Sequence, residues 1–216
     1  MDSLNTDSEH SELRESGFEE LNLRPEILAN LDRIGYRQPS PIQAAFIPEA
    51  LKGIDVIGQA QTGTGKTAAF LLPVLQRLSP DDKFPQVLIL GPTRELVHQV
   101  HEEGKKLVGD LGFKMACVYG GEGFDRQIRE FRAGAQIVVG TPGRIIDMMR
   151  RRHFDTSRIR VMVLDEADRM LDIGFRPDIE RILRQVPTER QTLLLSATMP
   201  DEVLKLTHRY MVDPAM

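Results

Sequence analysis

Ala60-Gln61-Thr62-Gly63-Thr64-Gly65-Lys66-Thr67 follows directly on the apolar run Asp55 to Gly58, and Asp165-Glu166-Ala167-Asp168 follows in the same way on Val161-Met162-Val163-Leu164. The first segment reads as a phosphate-binding loop. Glycines let successive backbone N–H groups turn inward around phosphate oxygens, and the N-terminus of a following helix adds partial positive charge. In such a loop Lys66 reaches the outer phosphates and Thr67 ligates magnesium. The second segment places Asp165 at a strand end, where it can hold that magnesium, with Glu166 beside it as a candidate base for an attacking water. Asp165 alone could equally cap a helix. The pair of segments is what defines a nucleoside triphosphate site.

Outward from these two segments, short runs rich in Val, Ile and Leu recur at Asp55 to Gly58, Val87 to Leu90, Met115 to Val118, Gln136 to Val139, Val161 to Leu164 and Thr192 to Leu195. Helical spacing lies between them, at Thr67 to Leu78, Arg94 to Val108, Phe124 to Arg132, Arg144 to Arg151 and Pro177 to Gln185. Two further helical stretches, Arg24 to Ile34 and Pro41 to Leu51, precede the first run. This alternation predicts an α/β fold, a mostly parallel sheet with helices on both faces. A Gly-rich, Pro-containing or polar signature follows each strand. In chain order these are the Gly63/Gly65 loop, Pro92-Thr93-Arg94-Glu95-Leu96, Gly120-Gly121, Thr141-Pro142-Gly143-Arg144, Asp165 to Asp168, and Ser196-Ala197-Thr198. In a parallel sheet they share one edge, the edge at which α/β proteins bind ligands.

The composition bounds the class. With 216 residues and 41% hydrophobic content the chain can bury a core. No apolar run approaches the roughly 18 residues of a membrane span, and the acidic start lacks the basic and apolar regions of a secretory signal. An unsecreted protein without a membrane partner is expected, cytoplasmic or nuclear. The single Cys117 rules out a disulfide within one chain and reads as a buried strand thiol. The formal net charge of −4 is concentrated in residues 1 to 16, where Asp2, Asp7, Glu9, Glu12 and Glu15 face only Arg14. That stretch reads as a disordered acidic tail, and residues 17 to 216 as one domain. The remainder is neutral, so a nucleic-acid contact must use local arginines, backbone amides and helix dipoles.

At this level of detail Phe18 to about Pro214 resembles the first RecA-like lobe of the DEAD-box ATP-dependent RNA helicases, a P-loop NTPase fold. Gly35-Tyr36-Arg37-Gln38-Pro39-Ser40-Pro41-Ile42-Gln43 is similar to that family's adenine-sensing Q motif, with Phe18 as its isolated upstream aromatic. The resemblance implies ATP and Mg²⁺ as cofactors. Gln43 would then select adenine, whose N6 and N7 match the donor and acceptor of an amide. Phe18 would pack on the adenine face, and Arg37, Gln61, Thr62, Gly63, Thr64, Gly65, Lys66 and Thr67 would complete the nucleotide site. Phe18 taken alone reads as core, and only its distance to the Gln43 segment favours the ligand.

The resemblance further implies that Pro92, Thr93, Arg94, Gly120, Gly121, Thr141, Pro142, Gly143 and Arg144 line an RNA backbone groove without reading bases. Ser196 and Thr198 would couple nucleotide state to RNA state through Asp168, although a structural cap before Pro200 is the other reading of those hydroxyls. The expected activity is ATP-dependent, sequence-independent RNA binding with local duplex unwinding. The alternative is a non-catalytic, ATP-responsive RNA- or protein-binding module. Nothing after Met216 supplies the C-terminal RecA-like lobe or its arginine finger, worth about 10³ to 10⁵ in kcat. The chain is therefore expected to be a nearly inactive, monomeric fragment of a longer helicase. Two further clusters carry less: His98 and His101 share a helical face without a third ligand, so zinc is not expected. Arg150-Arg151-Arg152-His153 fits both an RNA patch and the dipole of a helix C-terminus.

Overall fold

In the computed structural model, residues 17–121 and 123–216 are described; the expected acidic tail lies outside them. Six strands, β1 (Val56–Gln59), β2 (Val87–Leu90), β3 (Met115–Val118), β4 (Ile137–Gly140), β5 (Val161–Asp165) and β6 (Gln191–Ser196), form one sheet in the order β1-β6-β5-β2-β4-β3. Every pairing is parallel, so the mostly parallel sheet of the sequence reading is wholly so among the described residues. The strands are continuous apolar runs because both faces are covered. Val87 and Ile89 pack with the helices of one face, whereas Leu88 and Leu90 pack with those of the other.

The first face carries α1 (Pro25–Arg33), α2 (Pro41–Leu51), α3 (Lys66–Arg77) and α4 (Arg94–Val108). The second carries α6 (Pro142–Arg150), α7 (Ala167–Asp172), α8 (Arg176–Leu183) and α9 (Asp201–Tyr210). α5 (Phe124–Arg132) packs along the edge strand β3. α6 starts two residues before its expected first residue. Pro142 sits where its missing N–H is no loss, so the Pro-Gly pair opens the helix rather than breaking it. The sequence pattern announces neither α7 nor α9, since the first is only six residues long and the second begins immediately after Pro200.

The register aligns the strand ends. Gln59 pairs with Ser196, Leu195 with Asp165, Leu90 with both Leu164 and Gly140, and Val118 with Gly140. Read along that edge, the loops follow the order Ala60–Gly65, Ser196–Thr198, Asp165–Asp168, Pro92–Leu96, Thr141–Arg144, Gly120–Gly121. At the outer side of β1 the last residues return to the sheet. Ile57 N–H donates to Ala215 O at 2.8 Å, beside a parallel bridge between Val56 and Ala215. The buried Asp55 carboxylate accepts from Thr192 N–H at 2.6 Å and Val212 N–H at 2.8 Å.

Candidate nucleotide and RNA-backbone site

The loop after β1 needs two residues in the left-handed region, and Gly63 (φ 84) and Gly65 (φ 90) supply them. Gly65 is the N-cap of α3, and no side chain caps that helix. Its first N–H groups are therefore left for an external acceptor. Thr64 steadies the loop by donating its hydroxyl to Gln61 O at 2.7 Å, and Ser40 Oγ donates to Thr64 O at 2.8 Å. A cavity of about 230 Å³ opens over the loop, lined by Thr62, Gly63, Gly65, Lys66 and Thr67 from one side and by Asp165 and Glu166 from the other.

Lys66 is 6% exposed, and its Nζ lies 3.7 Å from both Asp165 Oδ1 and Glu166 Oε1. Neither Lys66 Nζ nor Asp165 Oδ1 has a hydrogen-bond partner among the described residues. A buried ammonium and a buried carboxylate oxygen left unsatisfied are costly unless a ligand completes them. A phosphate for the lysine and a divalent cation for the carboxylate do so, and Thr67, on the first turn of α3, adds a hydroxyl to the same cavity. Glu166 is held differently. Its backbone is left-handed (φ 53), its Oε1 accepts from Thr62 Oγ1 at 2.7 Å, and its Oε2 lies 3.3 Å from Arg169 Nη1. The Arg169 contact was missed in the sequence, although an i,i+3 pair on a short helix is a local signal.

Burial pushes the Asp165 carboxyl up to about 6, assisted by the Glu166 charge and opposed by Lys66. The folded chain therefore binds this proton more readily than the unfolded chain, and the group's contribution to stability rises as pH falls from above 6 toward 4. Burial lowers the pKa of His101, which acts with the opposite sign as pH falls below its ordinary value. Comparison with Asp165→Asn isolates the first effect. In denaturant titrations without nucleotide, the variant should gain most over the wild type near pH 8, and the gain should shrink toward pH 5. A gain that does not vary with pH would refute the assignment.

Gln43 is 3% exposed and bridges two elements: its Oε1 accepts from Ser40 N–H at 2.9 Å, closing a capping box on α2, and its Nε2 donates to Gly65 O at 3.0 Å. The amide expected to face a base is thus already tied to the phosphate loop. A Cβ on Gly65 would meet Gln43 Nε2 at 2.4 Å, on a backbone that L-residues avoid. Gly65→Ala should consequently lower the melting temperature by several degrees and weaken nucleotide binding at least tenfold, as read by thermal denaturation with and without nucleotide.

Phe18 requires a correction. It is 2% exposed and belongs to the hydrophobic core under α1 and α2, its ring centroid 6.1 Å from that of Tyr36. No ring face is open to a base, because burying a large aromatic against α2 outweighs leaving it on the surface. Arg37 stands exposed and pairs with Asp32. Tyr36, one residue earlier, lines the cavity together with Leu96, Gln99, Val100 and Glu103 of α4. Its hydroxyl donates to Glu103, and burial with that carboxylate raises its pKa. Sequence reasoning missed this wall of the cavity, which only the packing of the 34–40 segment against α4 creates.

Ser196 and Thr198 both lie within hydrogen-bond distance of Asp168. Thr198 donates from both N–H (2.8 Å) and Oγ1 (2.7 Å) to Asp168 Oδ2, and Ser196 Oγ accepts from Asp168 N–H at 3.1 Å. Burial raises the Asp168 pKa, but these hydrogen bonds outweigh it and hold the carboxyl below its ordinary range. On the other half of the edge, Arg94 Nη1 reaches Gly120 O at 3.4 Å and lies where a Cβ on Gly121 (φ 89) would fall. Thr93 Oγ1 caps α4 by accepting from Leu96 N–H at 3.3 Å. Thr141 is the N-cap residue of α6, followed by Pro142, Gly143 and Arg144 in its first turn. Arg144 donates from Nε to Gln127 Oε1 at 3.0 Å and stacks 3.6 Å over the Phe124 ring.

A parallel α/β sheet with an uncapped phosphate-loop helix, a lysine between two strand-end carboxylates and these flanking loops defines a RecA-like nucleotide-binding domain. The family model for the DEAD/DEAH box helicase matches residues 40–206. ATP-dependent RNA helicase DeaD of Escherichia coli K12 is 50% identical over 201 residues, covering 93% of this chain and 32% of the relative. ATP-dependent RNA helicase CshA of Listeria monocytogenes is 49% identical over 199 residues, covering 92% and 38%. The crystal structure of a DEAD box protein from the hyperthermophile Methanococcus jannaschii superposes with a TM-score of 0.88 at 40% identity, over 92% of this chain and 55% of the other. The chain belongs to the DEAD/DEAH box helicase family, and it spans about a third of the length of the curated relatives.

Proposed function

We propose that this chain is the ATP-binding lobe of an ATP-dependent RNA helicase, which uses nucleotide binding and hydrolysis to grip an RNA backbone and open short duplexes locally. The observation that carries the reading is the pair of orphaned polar atoms, Lys66 Nζ and Asp165 Oδ1, facing one cavity over the uncapped start of α3. Lys66 and the loop amides hold the phosphates, and Thr67 and Asp165 hold Mg²⁺. That ion, when bound, neutralises charge on the phosphate oxygens. Glu166, its carboxylate fixed by Thr62 and Arg169, orients the attacking water and accepts its proton. The family relationship and the Gln43 amide beside Gly65 support adenine as the base.

Arg94, Gly120, Gly121, Thr141 and Arg144 offer guanidinium, amide and hydroxyl groups without a base-reading surface, which fits sequence-independent contact with RNA phosphates and 2′-hydroxyls. A second RecA-like lobe of the full-length protein is the partner that would complete both sites on closure. A duty as a non-catalytic module is disfavoured by the ordered Glu166. The direct test is calorimetric titration of ATP, ADP, AMP and GTP with magnesium into the chain, beside Gln43→Ala. Adenine nucleotides should bind at least tenfold tighter than GTP, and Gln43→Ala should remove that preference. Absence of binding at millimolar nucleotide by the folded chain would overturn the reading.

A further inference from the structure

α6 ends in Arg150, and Arg151 and Arg152 follow it; none of the three enters the site described above. From residue 124 to 153 the sequence carries seven arginines and three carboxylates, a local charge of +4 in a chain whose total is −4. The carboxylates are largely committed. Glu130 lies 3.4 Å from Arg126 Nε and also accepts from Cys117 N–H, and Asp147 accepts from Arg151 Nε at 3.0 Å. Arg129, Arg132, Arg150 and Arg152 are exposed and have no acidic partner within ion-pair distance among the described residues.

Aromatic contacts join α5 to α6 and the residues after it. The Phe124 ring at the start of α5 lies under two guanidiniums from the α6 side, Arg144 at 3.6 Å and Arg151 at 4.5 Å. At the far end of α5, Phe131 packs on Phe154, just beyond Arg152, with ring centroids 5.1 Å apart. These contacts tie α5 to the segment from Arg144 to Phe154, so the exposed Arg129 and Arg132 of α5 and the exposed Arg150 and Arg152 at the end of α6 belong to two elements joined side by side. A dipole argument accounts for Arg129 and Arg132 at the C-terminus of α5 as it does for Arg150 and Arg151 at that of α6, but not for the two guanidiniums over one ring or for the gathering of both helix ends.

We propose that the flank formed by α5 and the end of α6 is an outboard track for the RNA backbone, on which Arg129, Arg132, Arg150 and Arg152 bind phosphates beyond those reached by the Thr141–Arg144 and Gly120–Gly121 loops. The proposal rests on the RNA-backbone reading of those loops. Continuity with Arg144 and the alternation of guanidinium and ring favour a single-stranded nucleic acid over an acidic protein.

The test is fluorescence anisotropy with labelled oligouridylates of about 6 and about 15 nucleotides, lengths that bracket a short and an extended single-strand site. The wild-type chain, Arg144→Gln and a variant with Arg129, Arg132, Arg150 and Arg152 each changed to Gln would be compared, with ATP affinity reporting an intact fold. The wild type should bind the longer oligonucleotide at least tenfold tighter than the shorter. The four-residue variant should lose that gain, keep its affinity for the shorter one, and show a salt slope reduced by about 0.7 for each phosphate contact removed. Equal binding of both lengths by the wild type overturns the track. So does wild-type behaviour of the four-residue variant while Arg144→Gln is weakened, a result that would reassign the flank to an acidic protein. If the folded wild type binds neither oligonucleotide, the RNA reading itself fails.

Discussion

Lys66→Ala should weaken ATP binding to this chain by at least about 100-fold, which corresponds to about 3 kcal/mol. The magnitude follows from the position of the ammonium. It is 6% exposed, lies at the start of the uncapped α3 and has no hydrogen-bond partner among the described residues. A hydrogen bond to a charged group is worth about 1.5 to 3 kcal/mol, and here it would form in a partly dry cavity where screening is weak. The substitution also leaves the Asp165 and Glu166 carboxylates facing each other without a cation 3.7 Å away. The variant should therefore be less stable than the wild type near pH 8 and recover as the pH is lowered toward 5, where Asp165 takes up a proton. Calorimetry of nucleotide binding and denaturant titration at the two pH values read the two effects separately. Unchanged affinity in a folded variant would remove Lys66 from the site.

Glu166→Gln addresses chemistry rather than binding. In a protein carrying both lobes, ATP turnover should fall about 10²- to 10⁴-fold, the usual contribution of a positioned general base. The amide is isosteric and can still accept from the Thr62 hydroxyl, which contacts Oε1 at 2.7 Å. What it loses is the ability to take a proton and the charge that holds Arg169 at 3.3 Å. ATP affinity should stay within about threefold or tighten, because one negative charge leaves the neighbourhood of the phosphates. Steady-state kcat combined with equilibrium nucleotide titration makes the distinction. Turnover at the wild-type rate would mean that another group activates the water.

Much of this arrangement is legible in the sequence, for reasons that also mark where legibility stops. β2, β3, α2, α4 and α5 have the residue bounds that their periodicity predicts, since each has a continuous apolar run or a helical stripe bounded by Pro, Gly or Thr. The phosphate loop and Asp165 are readable because short motifs with demanding backbone geometry tolerate few residue types. α7 escapes because it is a single six-residue helix entered from a left-handed Glu166, a conformation that no local pattern announces. Phe18 is ambiguous in the sequence because a lone aromatic has no period. Whether it faces a base or the core is decided by α2 and Tyr36, tens of residues away in the chain. The cavity wall of Tyr36, Gln99 and Glu103 is likewise a product of tertiary contact alone.

The return of the chain to β1 has a mechanical meaning. Ala215 is zipped to Val56 and Ile57, and the Asp55 carboxylate pins Val212 to the start of the same strand, while the other end of that strand runs straight into Ala60 and the phosphate loop. A load applied through Met216 along the strand would meet these bonds in shear before it reached the rest of the sheet. Tension at one end of a four-residue strand would thus be carried as strain to the loop at the other, and an optical trap pulling on residue 216 should find nucleotide release sensitive to force.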